Sequence, residues 1–317
     1  MLTRRTLVLA LLTTVLAGVA CSGEGPPLPA VKPPSEPSPV VERLRIGYIP
    51  IADCAQVYAA DSLGVFRENH LQVELVPLTG GAGVLQALAA GTVDVAFSNL
   101  ASAVFYEENA EKLSVLAGGT KMDASHSEAG TVVLDDSPVK AFVDLKGRTI
   151  AVNALNNIVD LAILRAARRA SLAPTDIHRI ELPFKDMEIA LRGKKVDAVT
   201  LPEPFLRSAL NGGGVRSIGD HFAAGFGDVY STAYFTTLAA RVAKPSAYSA
   251  FDKAIAAVTP TVNTFTPEVA AAVATATKVK VEDATAAGRP LYVDRIPDSA
   301  MPQMRAWMVE EGMLVSK

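Results

Sequence analysis

A chain that spells the same strand–helix–strand–helix–strand phrase twice has few ways to fold. In the second copy, Thr-Ile-Ala-Val-Asn (149–153) is an apolar run with strand chemistry ending on a polar residue, and Ala154-Leu155-Asn156-Asn157 breaks it. A helix over 158–170, a strand over 179–184, a helix over 186–192 and a strand over 196–201 follow, closed by Pro202-Glu203-Pro204-Phe205. The first copy runs through a strand at 44–48, a helix at 54–64, a strand at 73–78, a helix at 83–90 and a strand at 93–97. The closing segments match in letters: Ala87-Leu88, Gly91 and Val93-Asp94-Val95 answer Ala190-Leu191, Gly193 and Val196-Asp197-Ala198. A shared motif at the same step of two units implies two similar lobes. The β-α-β-α-β order implies a parallel sheet in each, and a cleft between lobes is where a small ligand binds.

Hydrophobic residues make up 50% of the chain, enough for both lobes to bury a core. The net charge of -3, without a long basic run, argues against nucleic acid as the main partner. The amino terminus reads as an export signal, residues 1–20. Arg4-Arg5 precede an apolar stretch from Leu7 to Leu16 that is too short for a comfortable membrane span. Leu16-Ala17-Gly18-Val19-Ala20-Cys21 then resembles a bacterial lipobox, with Cys21 as the lipidated residue. Gly18 stands where that motif has Leu, and ordinary cleavage after Ala20 is the alternative. Residues 21–42, rich in Pro, Gly and Ser, read as an extended tether. A lipid anchor on a flexible stalk would leave the folded part exported and close to a membrane surface. Cys54, the remaining cysteine, is expected to be a small buried residue rather than a nucleophile.

Strand-to-helix loops lie at the carboxyl edge of a parallel sheet, where ligands bind. Asp53 follows the first strand and is placed either to cap the next helix or to face the cleft. Thr79-Gly80-Gly81-Ala82-Gly83 opens a helix with backbone N–H groups free for an anion or carbonyl. It has neither the dinucleotide nor the Lys-Ser/Thr phosphate-loop pattern. Ser98 and Asn99 precede the next helix as caps or cleft residues. In the second copy Asn153, Asn156 and Asn157 stand before the helix, one as its cap, with free N–H groups that can hold an acidic oxygen. Glu203, between two prolines, is either a lobe or hinge salt bridge or an acceptor for a ligand N–H or hydroxyl. No Lys or Arg falls on these loops, although Lys121 and Lys185 lie just beyond. That departs from what a bare anion needs and favours a zwitterionic or heterocyclic ligand.

These residues resemble a family. The strand over 44–50, the helix ending Leu63-Gly64-Val65-Phe66, the Gly80-Gly81 loop and Gly91-x-Val93-Asp94-Val95-Ala96 are similar to solute-binding proteins of ABC importers for nitrate, sulfonate and taurine. That superfamily also includes binders of thiamine-pyrimidine precursors. Asp144-Leu145-Lys146-Gly147-Arg148-Thr149-Ile150-Ala151-Val152 resembles the segment opening its second lobe, and Glu203-Pro204-Phe205 its strand-end motif.

The resemblance implies a type II periplasmic-binding-protein fold: an α/β chain with two mixed, mostly parallel sheets and a cleft between two lobes. Lobe 1 would be residues 43–136 and 231–317 and lobe 2 residues 137–230, joined by crossovers near 134–143 and 230–236. It implies ligand contacts from Asp53, Gly80, Gly81, Ser98, Asn99, Asn153, Asn156, Asn157 and Glu203. It also implies a monomer delivering a small molecule to the transmembrane subunits of an ABC permease, with no cofactor, metal or catalytic residue.

Three other classes were weighed. Pyrimidine synthases of thiamine biosynthesis share the fold but depend on a Cys-rich motif and histidine chemistry. Here the histidines, 70, 126, 178 and 221, are scattered and form no metal or nucleophile pattern. A LysR-type effector domain would need a DNA-binding helix-turn-helix where the signal and tether lie. A lipoprotein sensor or adhesin without a permease is distinguished only by its partners.

Overall fold

The computed structural model describes residues 41–123 and 125–316. The expected signal peptide, Cys21 and nearly all of the tether lie outside them. The first part of the chain builds β1 (Glu42–Tyr48), α1 (Ala55–Ser62), α2 (Val65–Glu68), β2 (Leu71–Pro77), α3 (Gly80–Ala89), β3 (Val95–Asn99), α4 (Leu100–Asn109), β4 (Leu113–Gly118) and β5 (Thr120–Met122). Next come β6 (Ala129–Leu134), β7 (Thr149–Val152), α5 (Ile158–Arg169), β8 (His178–Glu181), α6 (Phe184–Arg192), β9 (Ala198–Pro202), α7 (Phe205–Asn211), β10 (Val215–Gly219) and α8 (His221–Gly225). The remainder forms β11 (Val229–Tyr230), β12 (Thr232–Thr237), α9 (Leu238–Ala243), α10 (Pro245–Thr264), α11 (Pro267–Thr277), α12 (Val281–Ala286), β13 (Leu291–Tyr292) and α13 (Ala300–Glu310).

The strands form two five-stranded sheets of the same plan, ordered β2-β1-β3-β12-β4 and β8-β7-β9-β6-β10. In each, the three strands of the repeated phrase run parallel, and one strand from elsewhere in the chain pairs antiparallel. That intruder is β12 in the first sheet and β6 in the second. The lobes therefore exchange strands: β6 leaves the first lobe to finish the second sheet, and β12 returns to finish the first. The first crossover accordingly lies between β5 and β6, earlier than the expected 134–143, and β6 belongs to the second sheet rather than to residues 43–136 of the first lobe. The second crossover lies between β11 and β12. Where the chain passes over, β11, β5 and β13 pair as a small antiparallel sheet. The two-residue β13 interrupts an otherwise helical tail.

The repeated aspartates explain why both phrases close alike. Asp94 Oδ2 accepts from the Arg45 backbone N at 2.9 Å, and the Asp94 N donates to the Arg45 carbonyl at 2.8 Å. Asp197 does the same with Thr149, at 2.8 Å in both directions. Each carboxylate pins the start of β3 or β9 to the first strand of its lobe, so register is fixed by a side chain as well as by the ladder.

Cores follow from burial on the sheet faces. Leu44, Ile46, Phe97 and Tyr234 pack under α1, α10 and α11, while Ile150, Val152, Leu161 and Ile163 pack within the second lobe. Gly225 lets α8 lie directly on α5, since a Cβ there would stand 2.6 Å from the Ala162 carbonyl oxygen. On the side away from the strand ends, α13 touches both lobes. Arg305 pairs with Glu108 of α4 at 2.8 Å, and Glu310 and Glu311 pair with Arg165 and Arg168 of α5 at 2.7 and 3.0 Å.

Candidate functional site

The ends of β1, β3, β7 and β9 face each other across a cleft with about 520 Å³ of empty space, part of it open to solvent. Ile49, Phe97, Met122, Ile158, Phe184 and Phe222 supply its apolar wall. Its polar wall comes from both lobes: Asp53 and Asn99 from the first, Asn153, Asn157 and His221 from the second, and Glu128 from the crossover.

Asn99 and Asn157 are helix caps, as their placement predicts. Asn99 Oδ1 accepts from Ser102 N at 2.8 Å and starts α4. Asn157 Oδ1 accepts from Asp160 N at 3.0 Å and starts α5, while its Nδ2 donates to Asn153 Oδ1 at 2.9 Å. Asn99 Oδ1 also accepts from Ile158 N at 3.3 Å. One carboxamide oxygen thus bridges the amino ends of two helices, one from each lobe. The helix dipole of α5 is further satisfied by Asp160, a buried carboxylate in its first turn that pairs with Arg179 at 2.6 Å.

Asp53 does not cap a helix. It sits inside a single 3-10 turn, Ala52–Cys54, whose preceding residue makes no side-chain cap, so its carboxylate is free to turn inward. Thr120 Oγ1 donates to Asp53 Oδ2 at 3.2 Å and lies 2.7 Å from both Ser231 Oγ and Thr232 Oγ1, a relay of hydroxyls under the crossovers. Asp53 and Glu128 are neighbours on the cleft wall, close enough that each perturbs the other, and a proton shared between them would relieve their repulsion. Burial pushes Asp53 up from the usual carboxylate range, against the pull of Glu128 and Thr120. Burial, followed by the charge of Asp53, pushes Glu128 well above it. Asp53 Oδ1 and Glu128 Oε2 accept from no donor among the described residues.

His221 opens α8 and is 1% exposed. Its Nδ1 lies 3.4 Å from Thr131 Oγ1, and its Nε2 has no partner. Burial pushes its pKa down to about 4, with Asp220 opposing, so the ring is neutral at neutral pH. Neither Glu128 nor His221 was expected in the cleft. Glu128 carries no local motif, and α8 is too short to show a helical period.

The other expected residues are spread more widely. Gly80 borders an adjoining recess with Asn153 and Lys185. Gly81 lies beneath the strand end: a Cβ there would stand 2.5 Å from Ser98 Oγ and 2.7 Å from Asn99 Nδ2. Ser98 is buried behind Asn99 rather than on the cleft wall. Asn156 is exposed, with φ 58°, and its N–H donates to Asp160 Oδ2 at 3.0 Å. Glu203 is buried away from the wall, and both its oxygens accept from backbone: Arg207 N at 2.9 Å and Gly288 N at 3.1 Å. Its own carbonyl accepts from Ala52 N at 3.1 Å. Cys54 is buried and unpaired as expected, its thiol donating to the Ile49 carbonyl at 3.1 Å.

Residues 51–259 match the NMT1/THI5-like family model. The putative aliphatic sulfonates-binding protein of Escherichia coli (strain K12) is 30% identical over 186 residues, 59% of this chain. The match spans 56% of that relative, little more than half its length. Among solved structures, the alkanesulfonate-binding protein SsuA from Xanthomonas axonopodis pv. citri superposes with a TM-score of 0.75 at 16% identity, over 88% of this chain and 96% of its own. The periplasmic nitrate-binding protein NrtA from Synechocystis PCC 6803 superposes with a TM-score of 0.69 at 14% identity, over 87% and 83%. At these identities the likeness is one of fold, and the fold is the expected two-lobe, type II periplasmic-binding-protein fold.

Proposed function

The chain belongs to the NMT1/THI5-like family, and on that premise we propose that it is an extracytoplasmic solute-binding protein for an ABC importer. It captures a small molecule between its lobes and presents the closed form to permease transmembrane subunits. The observation that carries this reading is the bridge from Asn99 of one lobe to Ile158 N of the other, inside a cleft walled by both. A ligand that accepts from Ile158 N and also meets Asn99 or Asp53 touches both lobes at once and favours closure by that differential affinity. Its first contacts are Asp53, Asn99, Asn153 and Asn157, with Gly80, Gly81, Ser98 and Asn156 supporting the loops. Glu203 acts as a clasp between lobes rather than as a ligand contact, because backbone donors occupy both its oxygens.

The sulfonate and nitrate specificities named for the relatives make a small oxyanion the first ligand class. A heterocycle of the thiamine-pyrimidine kind is the second. It is favoured by the absence of Lys and Arg among the wall residues and by Asp160, whose charge already answers the dipole of α5. The same wall offers no activated nucleophile, since burial pushes the Cys54 thiol well up, and the reading is of a binder rather than an enzyme. A monomer tethered through an acylated Cys21 completes it. A Cys21→Ser chain should then leave the membrane fraction, and retention there would sink the anchor.

A thermal-shift screen of taurine, alkanesulfonates, nitrate, bicarbonate, thiamine, its aminopyrimidine precursors and riboflavin tests the capture step. A ligand at about a hundred times its Kd stabilises by about 2.7 kcal/mol, a visible shift. Uptake of that ligand should be lost when the chain is deleted, and uptake that persists would overturn the importer role.

A further inference from the structure

We propose that the paired carboxyls of Asp53 and Glu128 form a subsite for a nitrogen cation carried by the ligand, an ammonium or a protonated amidine-like N–H group. The inference rests on the solute-binding reading and adds to it which end of the ligand goes where.

Three observations carry it. First, the pair is buried, Asp53 at 3% and Glu128 at 2% exposure, and both residues line the cleft. Two carboxyls sharing one proton retain one negative charge, and a buried charge is costly unless a cation answers it. Second, no cation of the described residues does so. The groups around the pair are the Cys54 thiol on its own turn, Thr120 on β5, Tyr234 on β12 and Tyr292 on β13, whose hydroxyl donates to the Ala52 carbonyl at 2.8 Å. Glu203 after β9 and Asp220 before α8 add negative charge, not positive. Arg207 lowers Glu203 and Arg289 lowers Tyr292, and neither ion-pairs with Asp53 or Glu128. Asp220 itself is committed to Ser127 Oγ at 2.6 Å and to Phe222 N at 2.7 Å. Third, and independently of the acids, His221 Nε2 on the second lobe is buried without a partner on the same cleft. A neutral imidazole there accepts a second N–H from the same ligand and does not compete as a cation.

A nitrogen cation satisfies all three at once. It neutralises the pair, donates to Asp53 Oδ1 or Glu128 Oε2, and reaches toward an acceptor on the opposite lobe. A bare anion leaves the pair unanswered and adds repulsion, and it suits His221 only in the tautomer whose Nε2 carries the proton. Acidification protonates the second carboxyl and charges His221, and both changes disfavour a cation, so affinity for a cationic ligand falls as pH falls.

The experiment compares matched pairs on the full chain by calorimetry: taurine with ethanesulfonate, and 4-amino-5-aminomethyl-2-methylpyrimidine with 2,5-dimethylpyrimidine. The nitrogen-bearing member should bind at least about tenfold more tightly, as a charged hydrogen bond implies. The double variant Asp53→Asn with Glu128→Gln, which keeps shape and removes the charge whichever acid holds it, should erase that preference. The wild-type preference should also shrink from about pH 7 to about pH 4, where His221 takes up its proton, a measurement that needs no variant to fold. Equal affinity within a pair that binds, or a preference unchanged in the double variant and across pH, overturns the subsite and leaves the solute-binding reading standing. Binding by no member while another solute of the thermal-shift panel binds overturns the subsite alone, and no binding by any solute of that panel overturns both.

Discussion

The two lobes share a scaffold and differ in what the scaffold presents. In each, an aspartate before the third parallel strand pins the first strand through two backbone hydrogen bonds. In the first lobe that aspartate is 13% exposed and pairs with Arg45 at 3.0 Å and Lys244 at 3.2 Å. Burial alone would push Asp94 up, yet those two partners hold it below the usual carboxylate range. Its counterpart Asp197 is 36% exposed and has one partner, Arg148, at 3.3 Å. At the opposite ends of the same strands the resemblance stops. The first lobe offers Asp53 and Asn99 to the cleft, the second Asn153, Asn157 and His221. Strand order is repeated because it is the solution to burying a sheet; strand-end chemistry is not repeated, which is what the proposed capture of a ligand with two different ends would need.

The sharpest way to break the comparison is to remove the pins. Asp94→Ala should cost about 3 kcal/mol and Asp197→Ala about 2 kcal/mol, because the first strands a more buried, doubly paired site. Urea unfolding of the full chain measures both, and equal costs would show that burial does not rank the lobes. Next in size is the pH response of His221. Its folded pKa lies at about 4, below the ordinary 6.5, so on acidification the unfolded chain takes the proton first. Stability should therefore fall from about pH 6.5 downward, by at most about 3 kcal/mol at pH 4. His221→Phe should flatten that slope, and hydrogen exchange should show the second lobe loosening before the first.

Smaller effects separate neighbours within one loop. Gly81→Ala places a methyl against Ser98 and Asn99 and should cost about 2 kcal/mol, loosening the start of α4. Gly80→Ala meets nothing within 4 Å but must hold φ at 67°, and should cost only about 1 kcal/mol. Comparable losses would mean that backbone conformation, not the crowded strand end, governs the loop. Last, Asn99→Ala and Asn157→Ala each remove a cap worth about 1 kcal/mol. Only the first also frees Ile158 N, so exchange at the Ile158 amide should rise several-fold more in Asn99→Ala than at its neighbours, and an equal rise in both variants would deny the bridge.

How much of this was legible in the sequence follows from how local each feature is. The aspartate pins are visible as repeated Val-Asp letters, and Asn157 as a cap before an apolar period, since both are short-range facts. The strand exchange was hidden because 131–134 reads as a strand without naming its partner, and β6 pairs with strands far along the chain. Glu203 looked like a ligand contact because prolines exclude it from a helix face. Nothing in the letters tells that Gly288 N, 85 residues on, occupies one of its oxygens. Asp53 reads either as a cap or as a cleft residue, and only the 3-10 turn around it decides for the cleft, beside Glu128, which no motif marks. The sites of a two-lobed chain are assembled by its crossovers, and crossovers are what local pattern reads least well.

The helix α13 sets the geometry of opening. It is ion-paired to α4 and α5 near their carboxyl ends, while the amino ends of those two helices meet at the cleft. The lobes are thus hinged like tongs, joined near the handles and free at the tips. The arm α5 has 12 residues, about 18 Å at 1.5 Å each, and a rotation of about 15° carries its tip about 5 Å. That stroke is the width of a small molecule. On the proposed capture function, a tie at the far end of a long arm would turn a slight yielding of ion pairs into the full travel between an empty and a filled cleft.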